Sequence, residues 1–269
     1  MKRRQFNMPL AKAAVMSVLA GVLGLMSGAS GISSQIAADP LIGFMLGFTP
    51  ERRAGTALLA AVVAAVAAVG GAMATSQASV SVELIALLTA SAFVGVFLGG
   101  TVRQRFPSPV VPRIANSLCA FLAIYVMSQG WSSKLGGPVA LPFDWAGTTA
   151  GIALFGALVG AVSAATAVPI GILLVPACVL LMGLRPGTAL LASLLVAVAA
   201  AVLPLLAYAV RGAIDRTIGM AMSVGAALGG GVAGALVGMA SLRGEGAAVL
   251  LSYGFVAVLV CAWSASKAP

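Results

Sequence analysis

Apolar residues run almost unbroken along this chain, in stretches of about 20 residues, the length a helix needs to cross the hydrocarbon core of a bilayer. Such runs lie at residues 8–29, 54–75, 80–102, 109–131, 144–166, 186–210, 216–241 and 246–266. Two further apolar stretches, about 30–49 and 167–184, are interrupted by Pro, Gly and other polar or small residues. Membrane-spanning strands need alternating segments of about ten residues, whereas these runs are continuously apolar and rich in Ala, Leu, Val and Gly. The pattern predicts helices.

The two interrupted stretches match each other. Pro40, Gly47 and Pro50 recur as Pro176, Gly183 and Pro186, all at one constant offset of 136, which is about half of the 269-residue chain. A rival register at an offset of 132 aligns an identical GTALLA, 55–60 with 187–192, but loses every proline pair. The offset of 136 keeps the residues that determine backbone shape, so the chain reads as two copies of one unit. Proline has no amide hydrogen and fits best at the first position of a helix, so Pro40 and Pro176 are each expected to start a half-helix running to Gly47 and Gly183. Free amide hydrogens would then face the middle of the membrane, where they favour an anion. Interrupted segments at corresponding positions of two halves point to a transport site.

Composition agrees with the pattern: 61% of residues are hydrophobic and 8% charged, with a mean hydropathy of +1.12. This is an integral membrane protein, all-α and polytopic. The stretch from Met1 to Gly31 has the basic front and small-residue end of a signal peptide. An equivalent helix near 145–165 in the second copy makes a permanent span the expectation instead. There is no His, and Cys119, Cys178 and Cys261 are scattered, so no metal and no cofactor are expected. The net charge of +9 comes from residues at helix ends, which implies contact with anionic lipid headgroups rather than nucleic acid.

Those charges also choose a threading. If both interrupted stretches cross, ten segments place Lys2, Arg3, Arg4, Lys12, Arg52, Arg53, Arg103, Arg105, Arg113, Arg211, Arg216 and Lys267 inside, against Lys134, Arg185 and Arg243 outside. That is 12 to 3. If both stretches turn back instead, the best division is 8 to 7, so the positive-inside rule prefers ten. Five segments per half force the second half to enter from the opposite side, which makes the two five-segment repeats inverted, each with one interrupted half-helix segment. The expected division is a first repeat at 1–131, an extracytoplasmic connecting loop at 132–143 and a second repeat at 144–269. Both termini are expected in the cytoplasm, with the chain in a bacterial cytoplasmic (inner) membrane.

The interrupted segments supply the candidate site. The first offers Gly31, Ser33, Ser34, Gln35, Asp39 and Pro40; the second offers Pro169, Gly171 and Pro176. Ser33, Ser34 and Gln35 could bind the oxygens of an oxyanion or could bond back to carbonyls freed by the break. Asp39 reads equally as a proton-coupling group and as the N-cap of a half-helix starting at Pro40. Cys178 could react with a sulfur compound, but a lone Cys in an apolar helix is more often packing. Trp131, Trp145 and Trp263 stand at span ends, where interfacial anchors are found.

A ten-residue turn ending in proline, then Gly-x-x-Pro, then a small-residue helix with a Ser-Leu-Leu step occurs as Gly31 to Pro40, Ala167 to Pro176, Gly183-Leu-Arg-Pro186 and Ser193-Leu-Leu195. With Tyr208 to Arg216, these motifs resemble the TauE/SafE sulfite exporter family over about residues 15–264. The family's consecutive glycines are replaced here by Ser33-Ser34-Gln35 and by Pro169-Ile-Gly171. The resemblance implies a secondary transporter of a small anion, a sulfur oxyanion or organosulfonate such as sulfite, working by alternating access and not an enzyme. No nucleotide-binding motif occurs, so an ion gradient is the expected drive. A carboxylate transporter and a non-transporting membrane scaffold or assembly subunit remain the alternatives. Small anions and the lipid bilayer are the expected partners, and a homo-oligomer is left open.

Overall fold

The computed structural model describes residues 10–75, 81–105, 110–133, 148–166 and 168–266. Ten α-helices account for nearly all of the described residues: α1 (Leu10–Ser30), α2 (Gln35–Leu46), α3 (Pro50–Thr75), α4 (Val82–Arg105), α5 (Val110–Ser133), α6 (Thr149–Thr166), α7 (Ile170–Pro176), α8 (Pro186–Val210), α9 (Arg216–Leu242) and α10 (Gly246–Ser266). Positions 134–143 of the expected connecting loop, with Trp145 and Ala167, lie outside the described residues. Six helices (α1, α3, α4, α6, α8 and α9) are long and apolar enough to cross a membrane. Large apolar side chains such as Phe97, Phe121, Leu203 and Leu228 cover the outside of the molecule, as lipid contact requires. The chain is a multi-pass membrane protein.

The interrupted stretches differ from the sequence expectation at their starts. Pro40 and Pro176 do not begin half-helices. The first begins at Gln35, with Ser34 in the N-cap position, and Pro40 lies inside α2. Here the polar turn before Gln35 starts the helix, and Pro40 forfeits one interior bond instead of setting the boundary. The second begins at Ile170 behind Pro169, and Pro176 is the last residue of α7. Past that proline the helix widens into a π-helical turn, Ala177–Leu181, with the Met182 amide reaching the Ala177 carbonyl at 3.3 Å. The ends match the expectation better. Gly47 and Gly183 adopt left-handed φ of 60° and 65°, and Pro50 and Pro186 are the first residues of α3 and α8.

Corresponding boundaries recur at the offset that relates the prolines: α1 and α6 end at Ser30 and Thr166, and α5 and α10 begin at Val110 and Gly246. Small residues bring the long helices into backbone contact. Gly230, Gly234 and Gly238 of α9 press on the carbonyls of Ala64, Ala68 and Ala72 in α3. Gly225 and Gly229 press on Ser17 and Gly21 of α1. Residue numbers rise together in both interfaces, so α1, α3 and α9 run parallel. Gly95 and Gly99 of α4 meet Ala157 and Ala161 of α6 in the same sense, making a second parallel pair. Around α7 a separate core gathers Ile172, Leu174, Val175 and Cys178, and Tyr253 of α10 donates its hydroxyl to the Ile172 carbonyl. Cys178 is fully buried there, as a packing residue is.

Candidate functional site

Each break is tied off by a hydroxyl at the last residue of the preceding helix. Ser30 Oγ donates to the Met26 carbonyl at 2.6 Å and accepts from the Ile32 amide at 3.3 Å. Thr166 Oγ1 donates to Val162 at 2.6 Å and accepts from Val168 at 3.4 Å. One side chain thus serves both a carbonyl of the ending helix and the amide two residues beyond its end. Ser30 and Thr166 are 136 positions apart, so the same local chemistry recurs at the offset that relates the prolines.

The two breaks meet. Gly31 has a left-handed φ of 71°, which turns its carbonyl toward α7 and α8. Ser193 of α8 donates its hydroxyl to that carbonyl at 3.2 Å. Gly171 packs on the same oxygen so closely that a Cβ would collide with it. Ser252 of α10 adds a bond to the Ala29 carbonyl at 3.0 Å.

Beside Gly31 lies a small cavity of about 20 Å³, room for about one water molecule. Ser27, Gly31 and Ser33 form its polar wall. Leu58, Ala61 and Val62 of α3 and Leu194, Val198 and Ala201 of α8 form most of the rest. No charged side chain lines it among the described residues. An anion here would be held by hydroxyls and by the amide end of α2, whose first residue follows two positions after Ser33.

Of the residues expected at the site, Gly31 and Ser33 line this cavity, and Ser33 Oγ also accepts from the Gln35 amide at 3.4 Å. Ser34 gives its carbonyl to the amides of Ala37 and Ala38 at the start of α2, and Gln35 opens that helix. Both are half-buried and outside the cavity lining. Pro169 caps α7, Gly171 packs on Gly31, and Pro40 and Pro176 stand within helices, away from the cavity wall. Asp39 is not an N-cap. It lies inside α2 and pairs with Arg53 Nε at 2.8 Å.

A second ion pair joins distant parts of the chain. Arg52 meets Asp215 at 2.6 Å and lies over the Phe48 ring at 4.9 Å from its centroid. Asp215 caps α9 by accepting from the Ile218 amide at 3.1 Å, and its own amide donates to Thr56 Oγ1 at 3.0 Å. Among the described residues no cluster of His, Cys, Asp or Glu could hold a metal. Sequence reading missed Ser27 as a site residue and did not give Ser193 a binding role. Ser193 had a signal in the Ser-Leu-Leu step, and Ser27 had one in its match to Ser163 at the repeat offset.

The family model for the sulfite exporter TauE/SafE matches residues 1–126. No curated protein and no solved structure matches the chain.

Proposed function

We propose that this chain, matched over residues 1–126 to the sulfite exporter TauE/SafE family, a family of transporters, carries a small oxyanion across the bacterial cytoplasmic membrane as a secondary transporter. One observation carries the reading: the Gly31 break of one half meets Gly171 and Ser193 of the other beside a small cavity with hydroxyls on its wall. The described side chains offer no general base beside a nucleophile there, so binding and release account for the cavity better than catalysis.

Helix directions support ten crossings in two inverted halves. In a membrane each long helix reverses the last, so α1 and α3 run parallel only if the short α2 brings the chain back between them. By the same count, α3 and α9 run parallel only if the α7 segment also crosses. Partner exchange supports the inversion: α1 lies along α9 and α4 along α6, the same pairing once each helix is replaced by its counterpart in the other half. The Arg52–Asp215 pair puts the starts of α3 and α9 at one end, the one that the Lys and Arg count assigns to the cytoplasm, with both termini. Residues 1–131 and 144–269 are then the two repeats, alternating access occurs about the meeting breaks, and an ion gradient drives it, with Asp39 the proton-coupling candidate.

Sulfite or an organosulfonate is the substrate class that the family suggests, and a small carboxylate is the second reading, because hydroxyl and amide donors suit either acid group. The test is an uptake panel in proteoliposomes with sulfite, thiosulfate, sulfoacetate, taurine and small carboxylates, each with and without a pH gradient. Flux of a sulfur oxyanion is expected. Flux of carboxylates alone would overturn the substrate, and no flux of any anion would overturn the transporter.

A further inference from the structure

The two interrupted stretches are held in place by different forces. Within α2 only Ala38 and Ile42 are buried, and they join a core with Ala57 and Ala60 of α3. The stretch 136 positions on, residues 171–182, is buried except at Leu173, Leu181 and Met182, with α5, α6 and α8 packed around it. It carries no charge.

What α2 has instead is a strap. The Arg53 side chain leaves α3 and crosses α2 over Gly43, where a Cβ would come within 2.7 Å of Nη1 and 2.8 Å of Cδ. It ends with Nε donating to the Asp39 carboxylate at 2.8 Å. At the offset of 136, positions 39, 43 and 53 become Val175, Val179 and Ala189, each at most 1% exposed and all in one apolar core. An ion pair thus stands where the other stretch has side-chain packing.

The surroundings give the strap a fixed post and a movable load. Helix α3 is pressed to α9 by glycine-to-carbonyl contacts, and the Arg52–Asp215 pair ties its start to the same helix. Helix α2 lies between Gly31 and Gly47, both at left-handed φ, whereas α7 follows Pro169, whose ring fixes the backbone. Arg53 and Asp39 are 32% and 28% exposed, a setting in which an ion pair is weak and opens readily.

We propose that Arg53 is a positioning residue, a latch that pins α2 against α3, and that parting it from Asp39 frees α2 to swing away about Gly31, which Ser193 and Gly171 hold in place. The latch rests on the transporter reading only for its use, as the contact that a transport stroke opens.

The test reads the burial of α2 directly, on the full chain in detergent. Ile42 is fully buried and lies 136 positions before the equally buried Cys178, so Ile42→Cys and the native Cys178 can be labelled with N-ethylmaleimide in one molecule and followed separately by mass spectrometry. Adding Arg53→Ala is expected to speed labelling at position 42 by about two- to fivefold, the range that an exposed ion pair supports, and to leave Cys178 unchanged. Asp39→Ala should do the same, and the double variant should label no faster than either alone. Salt at about 1 M should speed labelling at position 42 when Arg53 is present and not in Arg53→Ala. Ala38→Cys, in the same core, is the second reporter. Equal rates with and without Arg53, additive effects of the two substitutions, or faster labelling of Cys178 alongside position 42 would each overturn the latch. Proteoliposome flux separates it from the reading it rests on: faster labelling in Arg53→Ala with no flux of any anion in the parent sinks transport alone, and flux in the parent with labelling indifferent to Arg53→Ala sinks the latch alone.

Discussion

Arg52 and Asp215 are far apart in sequence and 2.6 Å apart in space, and the carboxylate of this pair also caps α9. The two roles separate by substitution. Asp215→Ala removes cap and pair together and is expected to cost about 1–2 kcal/mol, the usual size of a lost N-cap. Asp215→Asn keeps a capping oxygen and loses only the attraction to a half-exposed Arg52, so its melting temperature in detergent should fall much less.

Gly171 and Gly70 should respond in opposite ways to alanine. A Cβ on Gly171 would strike the Gly31 carbonyl, a backbone atom that cannot swing aside, so Gly171→Ala is expected to cost about 1–3 kcal/mol and to depress flux. Around Gly70 there is nothing within 4 Å, and Gly70→Ala should gain up to about 1 kcal/mol of helix propensity. Melting of the two purified variants checks both signs.

The same comparison can be made within α9. Gly234 presses on the Ala68 carbonyl, while the nearest atom to a Cβ on Gly231 is the Ala67 carbonyl at an ordinary 3.8 Å. Gly234→Ala should therefore part α9 from α3 and lower the melting temperature, and Gly231→Ala should leave it unchanged or raise it.

Orientation has a chemical test. The three native cysteines are buried, which keeps labelling background low. With a maleimide that cannot cross the membrane, applied from outside, Glu245→Cys is expected to label and Arg211→Cys to stay unlabelled until the cells are opened. Reversed labelling would turn the whole molecule over, and equal labelling would break the ten-crossing count.

Asp39→Asn keeps the side-chain shape and a hydrogen-bond acceptor for Arg53 while removing the titrating group. If Asp39 couples protons, uptake driven by a pH gradient is lost while exchange of labelled for unlabelled substrate persists. Gradient-driven uptake at the parental rate would remove Asp39 from the mechanism.

The long helices were legible in the sequence because lipid demands unbroken apolar runs. Runs read at 186–210 and 246–266 are α8 and α10 residue for residue, and 216–241 falls one short of α9. The starts of α2 and α7 were not legible from their prolines. Proline favours a first turn without requiring it, and the segments before Pro40 and Pro176 were already able to start helices, at Gln35 and Ile170. At the cavity, Gly31 and Ser33 were readable as breaks in an apolar run. The walls from α3 and α8 were not, since Leu, Val and Ala there look like any lipid-facing residue until the fold turns them inward. Ser27 was hidden by the opposite problem. A serine in a helix usually bonds to its own backbone, and nothing in the sequence marks Ser27 as one that does not.

The Gly31 carbonyl is held by Ser193 of α8 and Gly171 of α7. Any displacement of one break must drag the other or part this contact. On the transporter reading proposed above, a cycle built on this clasp would have a single stroke, in which opening toward one side and sealing toward the other are the same event, and a leak state open to both sides would first have to break the clasp.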